Sequence, residues 1–207
     1  MKKSVFIIFL ILILDQTLKI WVKTQMELRD SIEFYSWFQL YFTENPGMAF
    51  GLEYGGNYGK LALSIFRLFA IFALVYWLRS LIQKRAPGIA IFSVSLITAG
   101  AIGNMLDSSF YGLLFDKGMV YSEELKNWIG YGGLATFSSE GYSALLRGNV
   151  VDMLYFPLYE GFLPEWVPFK GGDYFIFFRP IFNIADASIS CGVFLLILFQ
   201  KKVFPAK

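Results

Sequence analysis

Acidic residues are missing from particular stretches of this 207-residue chain, and basic residues collect in those same stretches. No Asp or Glu occurs before Asp15, in the turn around Lys84-Arg85, or after Asp186. Lys2, Lys3, Arg79, Lys84, Arg85, Lys201, Lys202 and Lys207 mark these regions instead. Four long apolar segments run between them, and the remaining acids lie at the outer ends of those segments or in two long loops. Charge needs sorting in this way when a chain crosses a bilayer repeatedly, because short cytoplasmic segments carry the Lys and Arg excess. The pattern predicts that both termini are cytoplasmic and that both long loops face outward. A chain that is 56% hydrophobic and 19% aromatic is also too apolar for an ordinary soluble domain.

The expected fold is mainly α: a polytopic membrane protein with four transmembrane helices, forming a single membrane-embedded domain over 1–207. The helices are predicted at about 5–22, 60–77, 89–106 and 181–199, with outer loops at about 23–59 and 108–180. Eighteen residues at 1.5 Å each span about 27 Å, enough for the hydrocarbon core. The first segment begins like a secretory leader, but Asp15, Gln16 and Lys19 follow where a small-residue cleavage site belongs. It is read as a retained helix. Trp37–Thr43 alternates with period two, so a strand of a small surface sheet is expected there, with Met48–Leu52 as its returning partner. Tyr121, Leu125, Trp128 and Ile129 recur at helical spacing behind Glu123 and Glu124, which predicts an interfacial helix. Gly130–Gly141 reads as loop.

Composition narrows the chemistry. Histidine is absent and Cys191 is the sole cysteine, so His-ligated zinc, Ser-His and Cys-His pairs and internal disulfides are excluded. No cofactor or metal set is visible. Net charge is only +2 and dispersed, which argues against nucleic acid as a partner. The intramembrane ionisable residues, which are costly and usually functional, cluster at one depth. Asp15 and Lys19 share a face of the first helix, Asn104 and Asp107 of the third, and Asn183 and Asp186 of the fourth. Asp152 follows Val150-Val151 in the second loop. Any one of these Asp residues, taken alone, also fits a helix cap, a partner for Lys19 or a water-facing group. Arg67 lies deeper and reads as a bundle counter-ion or a snorkelling side chain. Together the groups point to carboxylate chemistry. Two neighbouring Asp residues share one proton; the charged one activates water and the neutral one polarises a carbonyl. A proton-coupled transporter and a non-catalytic binder of lipidated peptides are the competing readings. The first requires polar groups along the whole bilayer depth.

Five segments carry a resemblance. They are Asp15-Gln16-Thr17-Leu18-Lys19, Asn45-Pro46-Gly47-Met48-Ala49-Phe50-Gly51, the block Gly100 to Asp107, Val150-Val151-Asp152, and Phe182-Asn183-Ile184-Ala185-Asp186. In this order the chain resembles lipoprotein signal peptidase (signal peptidase II), a bacterial aspartyl protease of the inner membrane. The resemblance implies that Asp152 and Asp186 are the catalytic dyad. It implies that Asn45, Gly47, Asn104, Asp107 and Asn183 shape the site or hold substrate, with Asp15 and Lys19 in support. The implied substrate is a prolipoprotein carrying a diacylglyceryl-modified cysteine, cleaved just before that cysteine at the periplasmic face of the membrane lipid. Globomycin-type cyclic peptides are the implied inhibitors, and a small sheet cradling the substrate beneath a periplasmic helix is the implied outer architecture. Two departures stand out. Ser108 occupies the position where the family usually has Arg, with Arg147 or Arg179 as candidate substitutes. The 45 residues from Asp107 to Asp152 exceed the family's usual short loop.

Overall fold

The computed structural model describes residues 1–47 and 56–203. The strand expected at Met48–Leu52 and most of the Asn45–Gly51 motif lie outside those residues. Three helices are long and apolar enough to cross a membrane: α1 (Lys2–Gln25), α2 (Gly56–Gln83) and α3 (Gly88–Leu106), the last running on as far as Leu114. Their polarity is inverted relative to a helix in water. Along α1, Ser4, Asp15, Lys19 and Lys23 are buried while Phe6, Phe9 and Ile13 are exposed. Along α2, Phe66, Phe69, Phe72 and Tyr76 are exposed. In water such a surface is an aggregation hazard; in lipid it is the solvated face. Arg85 at φ 51°, followed by Pro87, reverses the chain between α2 and α3.

α3 is the central helix, packing against α1, α2 and the later helix α5 (Ile184–Leu198). Its inward residues are small: Ala90, Ser93, Ser95, Thr98, Ala99, Gly100 and Gly103. Between apolar helices in lipid, small residues permit close backbone approach and hence dispersion contact. A Cβ added at Gly100 would sit 2.2 Å from the Ala185 carbonyl oxygen, so the crossing with α5 depends on that glycine.

Past Leu106 the helix widens into a π-helical turn, Asp107–Tyr111, and closes with the short α4 (Gly112–Leu114). The wider turn alters the side-chain phase, so Asp107, Ser108, Ser109 and Tyr111 are all buried. Such turns recur at functional sites.

The outer loops build sheets. A four-stranded antiparallel sheet has the order β1 (Ser31–Tyr35), β2 (Phe38–Asn45), β5 (Val150–Tyr155), β8 (Ile181–Phe182). The expected alternation holds in β2, with Leu40 and Phe42 on the buried face, and Glu44 continues that face. Leu40, Phe42, Val151 and Met153 join Val22 and Met26 of α1 and Phe115 in one core, which seats the sheet on the bundle. Each such large side chain contributes about 1.5–3 kcal/mol by leaving water.

Two expectations are corrected. The segment around 121–129 is not a helix but a hairpin of β3 (Val120–Ser122) and β4 (Asn127–Ile129). Tyr121 and Trp128 are seven apart, a spacing that suits two helical turns equally well, but they face each other across the ladder with rings 5.5 Å apart. The Ser122 hydroxyl accepts from the Leu125 N–H, and Lys126 at φ 50° completes the reversal. Among the described residues of the second loop after Leu114 the regular elements are strands, including the hairpin β6 (Tyr159–Phe162) and β7 (Tyr174–Phe177). The last long helix also starts later than expected. Ile181 and Phe182 belong to β8, and Asn183 caps α5 reciprocally with Asp186. α5 spans 15 residues, about 22 Å, and a short α6 (Gln200–Val203) follows.

Candidate active site

The polar residues singled out on α1, α3, β5 and α5 meet in one cluster, all of it buried except the partly exposed Asp186. On α1, the Lys19 ammonium lies 2.8 Å from Asp15 and 2.8 Å from Asp107 and donates to Asn104 Oδ1 at 3.0 Å. All three of its N–H groups are thereby used, and the side chain is wholly buried. Asp15 does more than pair with Lys19. Its second oxygen accepts from the Ala185 N–H at 2.8 Å, satisfying a free donor of the first turn of α5 from a different helix.

Asp107 ties three elements together. It accepts from Gln16 of α1 at 2.8 Å, from Lys19, and from the Val151 N–H of β5 at 3.2 Å. That last bond fixes the strand immediately before Asp152. Thr43 of β2 faces Asp152 across the ladder.

Asn183 is the hinge between the two acids expected to react. Its amide donates to Asp152 Oδ1 at 2.6 Å and to Asn104 Oδ1 at 3.1 Å, while its own Oδ1 accepts from the Asp186 N–H at 2.8 Å. Asp186 in turn accepts from Asn104 Nδ2 at 2.7 Å and from the Asn183 N–H at 3.3 Å. Each group reaching Asp186 is a donor, and it sits in the first turn of α5 where the helix dipole favours negative charge. Asp152 differs. Burial, then the charge of Asp186, pushes its carboxyl up to about 8, against the opposing pull of Lys19 and the Asn183 hydrogen bond.

Asn45 and Gly47 lie at the end of β2, beside this cluster. Asn45 faces Val150 in the ladder and accepts from the Gly47 N–H at 2.8 Å. Gly47 adopts φ 109°, and a Cβ there would lie 2.8 Å from Leu63 of α2. The turn therefore requires glycine.

Three features escaped the sequence reading. Gln16 bridges Asp15, Asp107 and the Tyr111 hydroxyl; its place between two motif residues was the available signal. Arg67 does not lie deeper than the cluster. Its Nη1 donates to Ser108 Oγ at 3.2 Å, so it is Arg67, and not the expected Arg147 or Arg179, that reaches Ser108. A second buried network stands one turn further out. Lys23 pairs with Glu44 amid the rings of Phe115, Tyr131 and Tyr142. Glu44 accepts from Asn149, which accepts in turn from Lys60. The parity of β2 pointed to Glu44, and the four-residue step from Lys19 pointed to Lys23.

Fold and cluster together define a multi-pass membrane protein with a largely buried carboxylate cluster beside a small sheet. Residues 7–201 match the family model described as signal peptidase (SPase) II. The chain is 47% identical over 195 residues to the lipoprotein signal peptidase of Porphyromonas gingivalis, covering 93% of this chain and 80% of that protein. It is 35% identical over 199 residues to the lipoprotein signal peptidase of Amoebophilus asiaticus, covering 94% and 76%. Its fold is similar to that of a bacterial membrane enzyme solved by the in meso method at 1.9 Å, with TM-score 0.59 and 25% identity over 98% of this chain and 94% of that one. The chain belongs to the signal peptidase II family.

Proposed function

We propose that this chain is an aspartic endopeptidase of the membrane that removes signal peptides from prolipoproteins, with Asp152 and Asp186 as its reacting pair. Family membership supports the protease activity and the prolipoprotein substrate. The observation that carries the choice of residues is Asn183, whose side-chain amide donates to the Asp152 carboxylate while its backbone N–H donates to the Asp186 carboxylate. Two carboxylates bridged in this way and interacting electrostatically hold one proton between them.

Asp186, met by donors alone, takes a proton from water as the water oxygen bonds to the scissile carbonyl carbon. Asp152 passes its proton to the carbonyl oxygen, leaving a neutral diol. On collapse the C–N bond breaks, Asp186 returns its proton to the departing nitrogen, and Asp152 recovers one from a diol hydroxyl. The dyad ends as it began, with no covalent intermediate.

On this reading cleavage falls just before the diacylglyceryl-modified cysteine, because a lipid-anchored substrate reaches the site by lateral diffusion in the bilayer. α5 with α6 forms a fourth span, both termini are cytoplasmic, and the site opens near the periplasmic face of the inner membrane. Asn45, Gly47, Asn104, Asp107 and Asn183 hold substrate or shape the site, with Asp15 and Lys19 bracing it. Globomycin-type peptides occupy the same groove. Mass spectrometry of products from a diacylglyceryl-modified prolipoprotein and from its unmodified counterpart tests this. The account expects one cut before the modified cysteine and at least roughly tenfold slower cleavage of the unmodified form, tenfold being about 1.4 kcal/mol. Equal cleavage of both forms contradicts it.

A further inference from the structure

The cluster contains four carboxylates, Asp15, Asp107, Asp152 and Asp186, and two cations come close to it. The two are not equivalent. Lys19 is wholly buried, and its three donors are taken by Asp15, Asp107 and Asn104. Arg67 is half-buried, and Ser108 is the one hydrogen-bond partner of its guanidinium among the described residues. A guanidinium carries five N–H donors in a rigid fork, so most of this one is unengaged. Its charge is near enough to act on Asp186, Asp107 and Asp152. Ser108 links it to the dyad, since the Ser108 hydroxyl donates to the Asn104 carbonyl at 3.0 Å and the Asn104 amide donates to Asp186 at 2.7 Å.

A partly exposed arginine on a membrane helix, with spare donors and no carboxylate within salt-bridge distance among the described residues, is costly to keep there unless something binds it. A peptide substrate lying along the dyad presents backbone carbonyls, which accept well from a guanidinium.

We propose that Arg67 is a substrate-binding residue of this enzyme: its free N–H groups take a backbone carbonyl of the signal peptide next to the scissile bond, from helix α2, with Ser108 aiming the guanidinium. The proposal rests on the dyad reading above. It gives α2, which carries none of the recognised motifs, a direct role in the site. It also accounts for Ser108: a small hydroxyl there leaves room for an arginine arriving from the neighbouring helix.

The test measures kcat and KM for a lipidated prolipoprotein with purified wild type, Arg67→Gln, Arg67→Lys and the double variant Arg67→Gln/Ser108→Arg, alongside melting curves and the Asp152→Asn and Asp186→Asn controls. Loss of a charged hydrogen bond to substrate costs roughly 10- to 100-fold in kcat/KM. We expect that loss in R67Q, with KM raised and the melting transition retained, an intermediate value in R67K, and recovery of about tenfold in the double variant. A purely structural arginine would lower the melting transition and leave KM unchanged. R67Q within about threefold of wild type while both Asp controls are dead overturns the proposal and spares the dyad. Activity surviving in either Asp control removes the dyad reading on which the proposal stands. Loss of the melting transition in R67Q and in the double variant alike overturns the proposal too, because Arg67 would then hold the fold.

Discussion

Asp152 and Asp186 both accept from Asn183, Asp152 from its side-chain amide and Asp186 from its backbone N–H, but they come from different kinds of backbone, one from the middle of a strand and the other from the third position of a helix. That difference sets their chemistry. A strand residue gains nothing from a helix dipole, and burial beside a second carboxylate pushes Asp152 up to about 8. In the proposed mechanism Asp152 must hold a proton to give to the carbonyl oxygen, and above about 8 it loses that proton. Because kcat/KM reports the free enzyme, it should decline as pH rises through about 8, approaching the roughly tenfold loss per pH unit of a single titrating proton. A profile that stays level well above that value contradicts the assignment of the proton to Asp152. The residues of this site were unusually legible in the sequence. Asp15 with Lys19, Asn104 with Asp107, and Asn183 with Asp186 fall at helical three- and four-residue steps, and charge within an apolar run is rare. Arg67 was visible for the same reason, but its depth was not, because a helix's register against its neighbours is fixed by packing.

At the scale of elements, helices and strands fared differently. α1, α2 and α3 lie where their apolar runs place them, since length and hydropathy alone specify a span. The hairpin β3–β4 was misread because Tyr121 and Trp128 satisfy both periods, and the turn chemistry of Ser122 and Lys126 decided between them. The pairing of β2 with β5, across more than a hundred residues, leaves no local trace at all. It is held by Lys23, Glu44, Asn149 and Lys60, which clamp the end of α1 and the start of α2 to the strands. Lys23 and Glu44 are both fully buried in their side chains, so removing one strands the other's charge. Lys23→Met should cost about 3–5 kcal/mol, read as a fall in the melting midpoint, and Lys23→Met/Glu44→Leu should recover much of it. A single variant as stable as wild type would show that the pair does not clamp the sheet.

At the scale of the whole molecule, the fold packs one polar cluster between apolar helices and a small sheet. α3 lies centrally with small residues so that α1 and α5 approach closely, and Gly100 sets the contact that brings Asn104 and Asp186 within 2.7 Å. The sheet then lowers Asp152 onto Asn183 from outside. Long insertions leave this core untouched because they leave from β5 and the π-helical turn at its rim, where added loop length costs little. The way the loops close over the site was not legible in the sequence, since the strand partners β2 and β5 lie more than a hundred residues apart. Cleavage of a lipidated prolipoprotein by folded Asp152→Asn and Asp186→Asn, followed by gel shift, tests the central claim most directly. Each variant keeps the shape and loses one carboxylate, and the account predicts a loss of at least about 1,000-fold in both, in line with removing a reacting group. Substantial turnover by either variant would contradict it.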